Sequence, residues 1–206
     1  MQALGLVWGD VNANAAGFQE VFTVMREPSH YDARHLFVCW RERNDEGGFV
    51  IGKDVPSRAL ARVMSHLVVY EPLDGGRDFR ARLAGTSLLR RFGRDISGSK
   101  LSELFERSAV EAQREDMRTL LRTRQPCVVE VKATVDTYPV LHFEIVALPV
   151  LAPDRETPWI LSGLFYYDWP ARFSRPIEQA PRPGRGNFIT QLLPRLATIG
   201  GARVLN

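Results

Sequence analysis

The sequence predicts an α+β fold: one antiparallel sheet of five strands, with short helices covering one face. Three observations carry this. Apolar and polar residues alternate over residues 79–83 and again over 129–135, the period of two that belongs to strands. Leu73-Asp74-Gly75-Gly76 supplies a hairpin turn between the first two strands. Apolar residues at helical spacing are inserted after the second strand, and the later strands follow one another directly.

Taken in order, Ala15, Phe18, Val21, Phe22 and Met25 share one side of an expected helix that ends before Pro28. A second helix is expected over residues 32–43, with Leu36, Phe37 and Trp40 as its apolar side and Asn44-Asp45-Glu46-Gly47-Gly48 as its stop. Asp54-Val55-Pro56-Ser57 reads as the start of a third, with Leu60, Val63, Met64 and Leu67 on one face.

The first strand, residues 68–72, turns into the second, residues 78–85. There Phe79, Ala81 and Leu83 form an apolar face opposite Arg80 and Arg82. Gly85-Thr86-Ser87 ends it and offers hydroxyls to cap a helix. Leu88, Leu89 and Phe92 make a short apolar turn. Gly93 and Gly98 bracket Arg94-Asp95-Ile96-Ser97, and Leu101, Leu104 and Phe105 follow at helical spacing. Gly85, Gly93 and Gly98 suit turns that need positive φ.

Ser108 and Glu111 form an S-x-x-E capping box. The helix they open buries Val110, Met117, Leu120 and Leu121, carries Glu111, Arg114, Glu115 and Arg118 outside, and ends before Pro126. Strands over residues 127–136, 140–151 and 159–169 complete the sheet. The last is apolar on both sides of Gly163, which predicts a central position. From Pro170 a stretch rich in proline and arginine reads as a linker. A short amphipathic segment (Phe188, Ile189, Leu192, Leu193, Leu196, Ile199) follows, interrupted by Pro194.

The run DFRARLAGTSLLRRFGRDISGSKLSELF joins R-L-x-G-T to G-R-D-I-S-G. In that combination it resembles the signature of a bacterial family of small PAS domains. The resemblance extends upstream to Trp40 and PSRALARVMSHLVVYEP and downstream through LSGLFYYDW, covering residues 36–169. It implies a five-stranded PAS sheet with its last strand central, between an N-terminal helical extension (1–35) and the segment 170–206. It also implies a space between the covered face and the short helices, where a small ligand could sit. The candidate lining residues are Leu88, Phe92, Leu101, Phe105, Met117, Leu141, Phe143, Leu161 and Phe165.

Composition narrows the function classes. The chain of 206 residues is 45% hydrophobic and 25% charged, the balance of a soluble globular protein. No apolar run approaches the ~20 residues of a spanning helix. No Lys or Arg precedes Asp10, unlike a signal peptide. Cys39 and Cys127 make neither a disulfide framework nor a metal cluster, which fits a cytoplasmic protein. Net charge is +3, yet residues 170–206 hold six arginines against Glu178 alone, a net +5, leaving −2 for the rest. That tail could meet an acidic partner or an anionic membrane; nucleic acid is not favoured, since the arginines lack interleaved exposed aromatics.

No catalytic constellation is expected. Cys127 has no neighbouring base, and no carboxylate pair stands apart by environment. His30, His35, His66 and His142 include no axial ligand on the helical side, which argues against haem. Residues 87–105 contain no cysteine for a flavin photosensor. Cofactor identity stays open. Arg90, Arg91 and Arg94 could form an anion or partner contact beside a glycine turn, or Arg94 or Arg82 could pair with Asp95 to fix that turn. The expected function is a stand-alone PAS sensory protein, not an enzyme. It would bind a small metabolite or a signalling partner such as a kinase or regulator and act by protein contact, as a homodimer joined through its N-terminal helix. The alternative is a scaffold or adaptor whose basic tail docks, with no ligand in the core.

Overall fold

The structure, a computed structural model, describes residues 18–88, 94–105, 107–135 and 138–167. Strand β1 (Phe18–Met25) leads to helix α1 (Tyr31–Asp45). Strands β2 (Leu67–Leu73) and β3 (Asp78–Ala84) form a hairpin. Helices α2 (Leu101–Leu104) and α3 (Arg107–Thr123) follow, then β4 (Cys127–Val135), β5 (Tyr138–Leu151) and β6 (Pro158–Tyr166). The strands form one antiparallel sheet in the order β1-β4-β5-β6-β2-β3. The five expected strands are all present, and β6 is internal as its two-sided apolar character requires.

A sixth strand corrects the N-terminal expectation. Residues 18–25 are not helical: β1 pairs with β4 over its whole length, Phe22 opposite Val131. Apolar residues at 18, 21, 22 and 25 match helical spacing by coincidence. Val21, Thr23 and Val24 are β-branched, and β4 offers an unpaired edge that helical periodicity cannot reveal. The helical extension over residues 1–35, and the helical dimer element with it, therefore does not hold for 18–25. Residues 1–17 and 168–206 lie outside the described residues.

The third helix is also replaced. Residues 57–66 make successive tight turns, with Leu60 N–H donating to Ser57 O and Val63 N–H to Leu60 O, ending in a 3-10 turn at Met64–His66. Leu60 and Val63 still reach the core, while Leu67 already belongs to β2.

Helices cover both faces of the sheet, not one. On the first face Ala33, Leu36, Phe37 and Trp40 of α1, at i, i+3, i+4 and i+7, pack on Leu67, Val69, Val146, Leu148, Leu161 and Phe165. A Cβ at Gly163 would lie 2.8 Å from Phe165 Cζ and 3.1 Å from Leu36 Cδ2, so α1 approaches the sheet over a glycine. On the second face Leu101 and Leu104 of α2 and Val110, Met117 and Leu120 of α3 pack on Val68, Tyr70, Phe79, Ala81 and Ile160.

The glycine turns are resolved in part. Gly98 has φ of 84° and its N–H donates to Ala81 O, laying residues 98–100 along β3. Gly85 is not at positive φ; it is required because a Cβ there would collide with the backbone of Ser65. Gly93 lies outside the described residues. The expected capping box depends on the Ser108 side chain, which lies outside the described residues; α3 spans Arg107–Thr123, and the Glu111 carboxylate accepts from Arg114 and Arg118. No helix among the described residues is long and apolar enough to cross a membrane.

Candidate functional site

The expected pocket residues divide between the two faces. Leu88, Leu101, Phe105 and Met117 gather in the cluster under α2 and α3. Phe143 is buried and, by its register opposite Val131 and Tyr166, shares the face of Ala147, which packs against that cluster. Leu161 and Phe165 face the other way, into the α1 cluster. The reason is the alternation of β6: Ile160 and Leu164 serve the α3 face, so 161, 163 and 165 must serve the other. A strand apolar on both sides gives no sequence signal for which side is which. Phe92 and the side chain of Leu141 lie outside the described residues.

The arginines are only partly placed. Arg90 and Arg91 lie outside the described residues. Arg94 donates to Glu103 O at 2.9 Å and does not pair with Asp95. Arg82 lies 3.8 Å from Glu71. Asp95 instead accepts from Ser97 N–H at 2.8 Å, a local turn bond that holds its carboxyl below the usual range.

Gln113, to which the sequence analysis assigns no role, lies beneath α3, three positions from Asp116. Gln113 is 7% exposed and sits in the buried stripe Val110–Gln113–Met117–Leu120. Its Oε1 is buried and accepts no hydrogen bond from the described residues, and the same holds for Asp116 Oδ2. Burial, with Glu115 adding to it, pushes the Asp116 carboxyl up to about 7. Burial and the Asp116 charge push the Cys127 thiol up to about 11, so it is a thiol at neutral pH. The signal was present in the sequence: a glutamine at a helical position between Val110 and Met117 interrupts an apolar stripe.

Beside this stripe a groove of about 430 Å³ lies between α2 and α3, lined by Ser102, Phe105, Val110, Glu111 and Arg114. That volume falls within the range of small-molecule sites, roughly 300–1,000 Å³. Its rim is ionic. Arg114 reaches Asp78 of β3 at 3.2 Å and Glu111 at 3.3 Å, and Ser102 Oγ donates to Asp78 at 2.7 Å. Arg118 bridges Glu111 at 2.9 Å, Glu115 at 2.8 Å and Gly76 O at 3.3 Å. Partial burial works to raise Asp78, but Ser102, the Phe79 N–H and Arg114 outweigh it and the carboxyl is lowered.

A second polar cluster lies at the first turn of α1. Glu144, 0% exposed, accepts from Ser29 N–H at 3.1 Å, from His30 N–H at 2.9 Å and from the Tyr167 hydroxyl. His30 caps α1: Nδ1 accepts from Asp32 N–H at 3.2 Å and Nε2–H donates to Tyr166 O at 3.1 Å. Its ring stacks on Phe165 and meets the edge of Tyr167, whose other neighbour is His142, stacked at 3.8 Å. His142 donates to Glu130 at 2.8 Å. Burial and the adjacent Glu144 carboxylate push the Tyr167 hydroxyl upward. The named bonds join the chain entering α1 to the chain leaving β6. No group of metal-binding side chains occurs among the described residues.

A family model described as "PAS domain" matches residues 28–165, more than half of the chain. No curated protein and no solved structure gives a match. The matched region runs from the residue before Ser29, at the Glu144 anchor, to Phe165 in β6, and it contains the orphaned oxygens of α3 and the groove between α2 and α3. A PAS domain points to a sensory or signalling role, and on this match the chain belongs to the PAS domain family.

Proposed function

We propose that the chain is a PAS sensor that takes a small ligand between α3 and the sheet and signals by protein contact. One observation carries the reading: Gln113 Oε1 and Asp116 Oδ2 are two buried acceptors, three residues apart on one helix, without donors. An unpaired buried polar group costs about 1–3 kcal/mol, so a chain that keeps two has reason to expect a partner for them. The partner must bring donors, such as hydroxyl, amide or ammonium hydrogens, on a body small enough for the adjacent groove and compatible with Phe105 and Val110. Burial and the nearby Asp116 charge keep the Cys127 thiol protonated at neutral pH, and the reading assigns it no catalytic step.

Native mass spectrometry of the protein from its own host tests this. The expected result is a small molecule on the wild type that is lost from Gln113→Leu. Binding should strengthen as pH rises through about 7, because the ionised Asp116 carboxylate accepts from ligand donors more strongly than the protonated acid. A wild type with no bound mass, together with a Gln113→Leu variant that is simply more stable, would mean the oxygens serve no ligand. The basic tail, net +5, supports a second reading in which residues 170–206 dock to an acidic partner such as a kinase or regulator, or to an anionic membrane. Deleting the tail while the body stays folded separates the two.

A further inference from the structure

The ion pairs around α3 leave one carboxylate out. Arg114 pairs with Asp78 at 3.2 Å and with Glu111 at 3.3 Å, and Arg118 pairs with Glu111 at 2.9 Å and with Glu115 at 2.8 Å. Asp116 takes part in none of these pairs, and its Oδ2 is buried without a donor among the described residues. The charge that acts on it comes from Glu115, of the same sign, and the nearby Cys127 is a neutral thiol. One turn back, Gln113 is 7% exposed and its Oε1 is equally without a donor. Side chains three apart on a helix share a face, with Cβ atoms about 5–6 Å apart, so one nitrogen can stand between the two oxygens. Val110, a further turn back, belongs both to the buried cluster under α3 and, with Phe105, to the wall of the groove.

We propose that the ligand is an organic ammonium ion, whose N–H groups donate to both Gln113 Oε1 and Asp116 Oδ2 and whose apolar body lies in the groove against Phe105 and Val110. This rests on the ligand site proposed above and narrows it to one chemical class. An ammonium carries three donors and no acceptor, which matches a site that presents acceptors only. A neutral alcohol or amide would fill the hydrogen bonds but leave the buried carboxylate charge unpaired, the costlier of the two defects. A quaternary cation would supply charge without donors. An anion would add like charge beside Asp116 and Glu115. Both oxygens are closed to solvent, so entry of the nitrogen moves α3 on the sheet.

Isothermal titration calorimetry of the full chain at pH 8 tests this with three probes built on one benzyl body: benzylammonium, benzyl alcohol and benzyltrimethylammonium. Benzylammonium is expected to bind with a Kd of about 1 mM or below, at least about tenfold tighter than either of the others. Gln113→Leu and Asp116→Asn each remove an orphaned acceptor. Both should melt no lower than the wild type and weaken benzylammonium at least about tenfold. Lowering the pH to about 5 should weaken it similarly, because Asp116, which titrates near 7 beside Glu115 and Cys127, takes up a proton. Benzyl alcohol binding as tightly as benzylammonium, and lost from Gln113→Leu, overturns the cation while the ligand site stands. Benzyltrimethylammonium binding as tightly overturns the bridging nitrogen, since charge without donors would suffice. Benzylammonium binding that neither variant weakens overturns the placement. No binding of any probe at ~10 mM overturns this inference together with the site it rests on.

Discussion

The sheet carries a long helix on each face, α1 of 15 residues and α3 of 17, and the two are held by different chemistry. Beneath the start of α1 lies a buried carboxylate, Glu144, that accepts from two backbone N–H groups and a tyrosine hydroxyl. Beneath α3 lie a glutamine and a carboxylate with an unpaired oxygen each. Around α1 the apolar contacts close tightly enough that the sheet needs Gly163 under Leu36. Around α3 the helix is tethered at its rim to the β2–β3 hairpin by one ion pair, Arg114–Asp78, and by the Arg118 bond to Gly76 O, and it borders a groove. A satisfied buried polar group fixes an element in one place, whereas an unsatisfied one raises the energy of the empty state and makes binding or motion cheaper. On the function proposed above, the α1 face is the frame and the α3 face is the part that responds.

The largest effect that would break this contrast is at Glu144. Glu144→Ala strands the N–H groups of Ser29 and His30 and the Tyr167 hydroxyl, and should cost about 3 kcal/mol by urea unfolding. Amide exchange should rise in α1 first. A loss below about 1 kcal/mol would show that α1 is held by its apolar face alone.

Asp116→Asn should act in the opposite direction. The folded-state carboxyl titrates near 7 against an ordinary 3.8, so between these values the folded chain keeps a proton that the unfolded chain has released. Stability then falls as pH rises through that window. Asparagine removes the cost: about 2 kcal/mol gained at pH 8, allowing for partial exposure, and nothing gained at pH 4. An equal gain at both pH values would mean that ionisation is not the cause.

Asp78 sharpens the tether side. Its carboxyl is lowered, so its contribution is present above the ordinary value of 3.8 and lost as pH falls toward the depressed folded value. Asp78→Asn should cost about 1 kcal/mol at pH 7 and loosen the α2–α3 rim in amide exchange. The smallest effect is expected at Glu111, whose side chain is largely exposed. Glu111→Gln should change stability by less than about 0.5 kcal/mol despite two arginine contacts.

How much of this was legible in the sequence differs between the same two faces. The α1 stripe Leu36–Phe37–Trp40 could be read directly from spacing, as could the hairpin at Leu73–Gly76, where Asp74, Gly75 and Gly76 all take positive φ. Strand β1 carries apolar residues at 18, 21, 22 and 25, the spacing of a helix, and only the unpaired edge of β4 makes it a strand. Apolar character alone carries no side, so in the sequence Leu161 and Phe165 group with Leu101 and Met117, although β6 turns them to α1. Gln113 is legible as a polar break in an apolar stripe. Glu144 was not readable, because in β5 it looks like the polar half of an ordinary alternation.

Sequence alone determined the elements whose causes act within a few residues: alternating strands, glycine turns and amphipathic helices. Tertiary structure decided which face each side chain serves and which polar group loses its water. Glu144 meets Ser29 across 115 positions of chain, and no local pattern records a contact made by the pairing of distant strands.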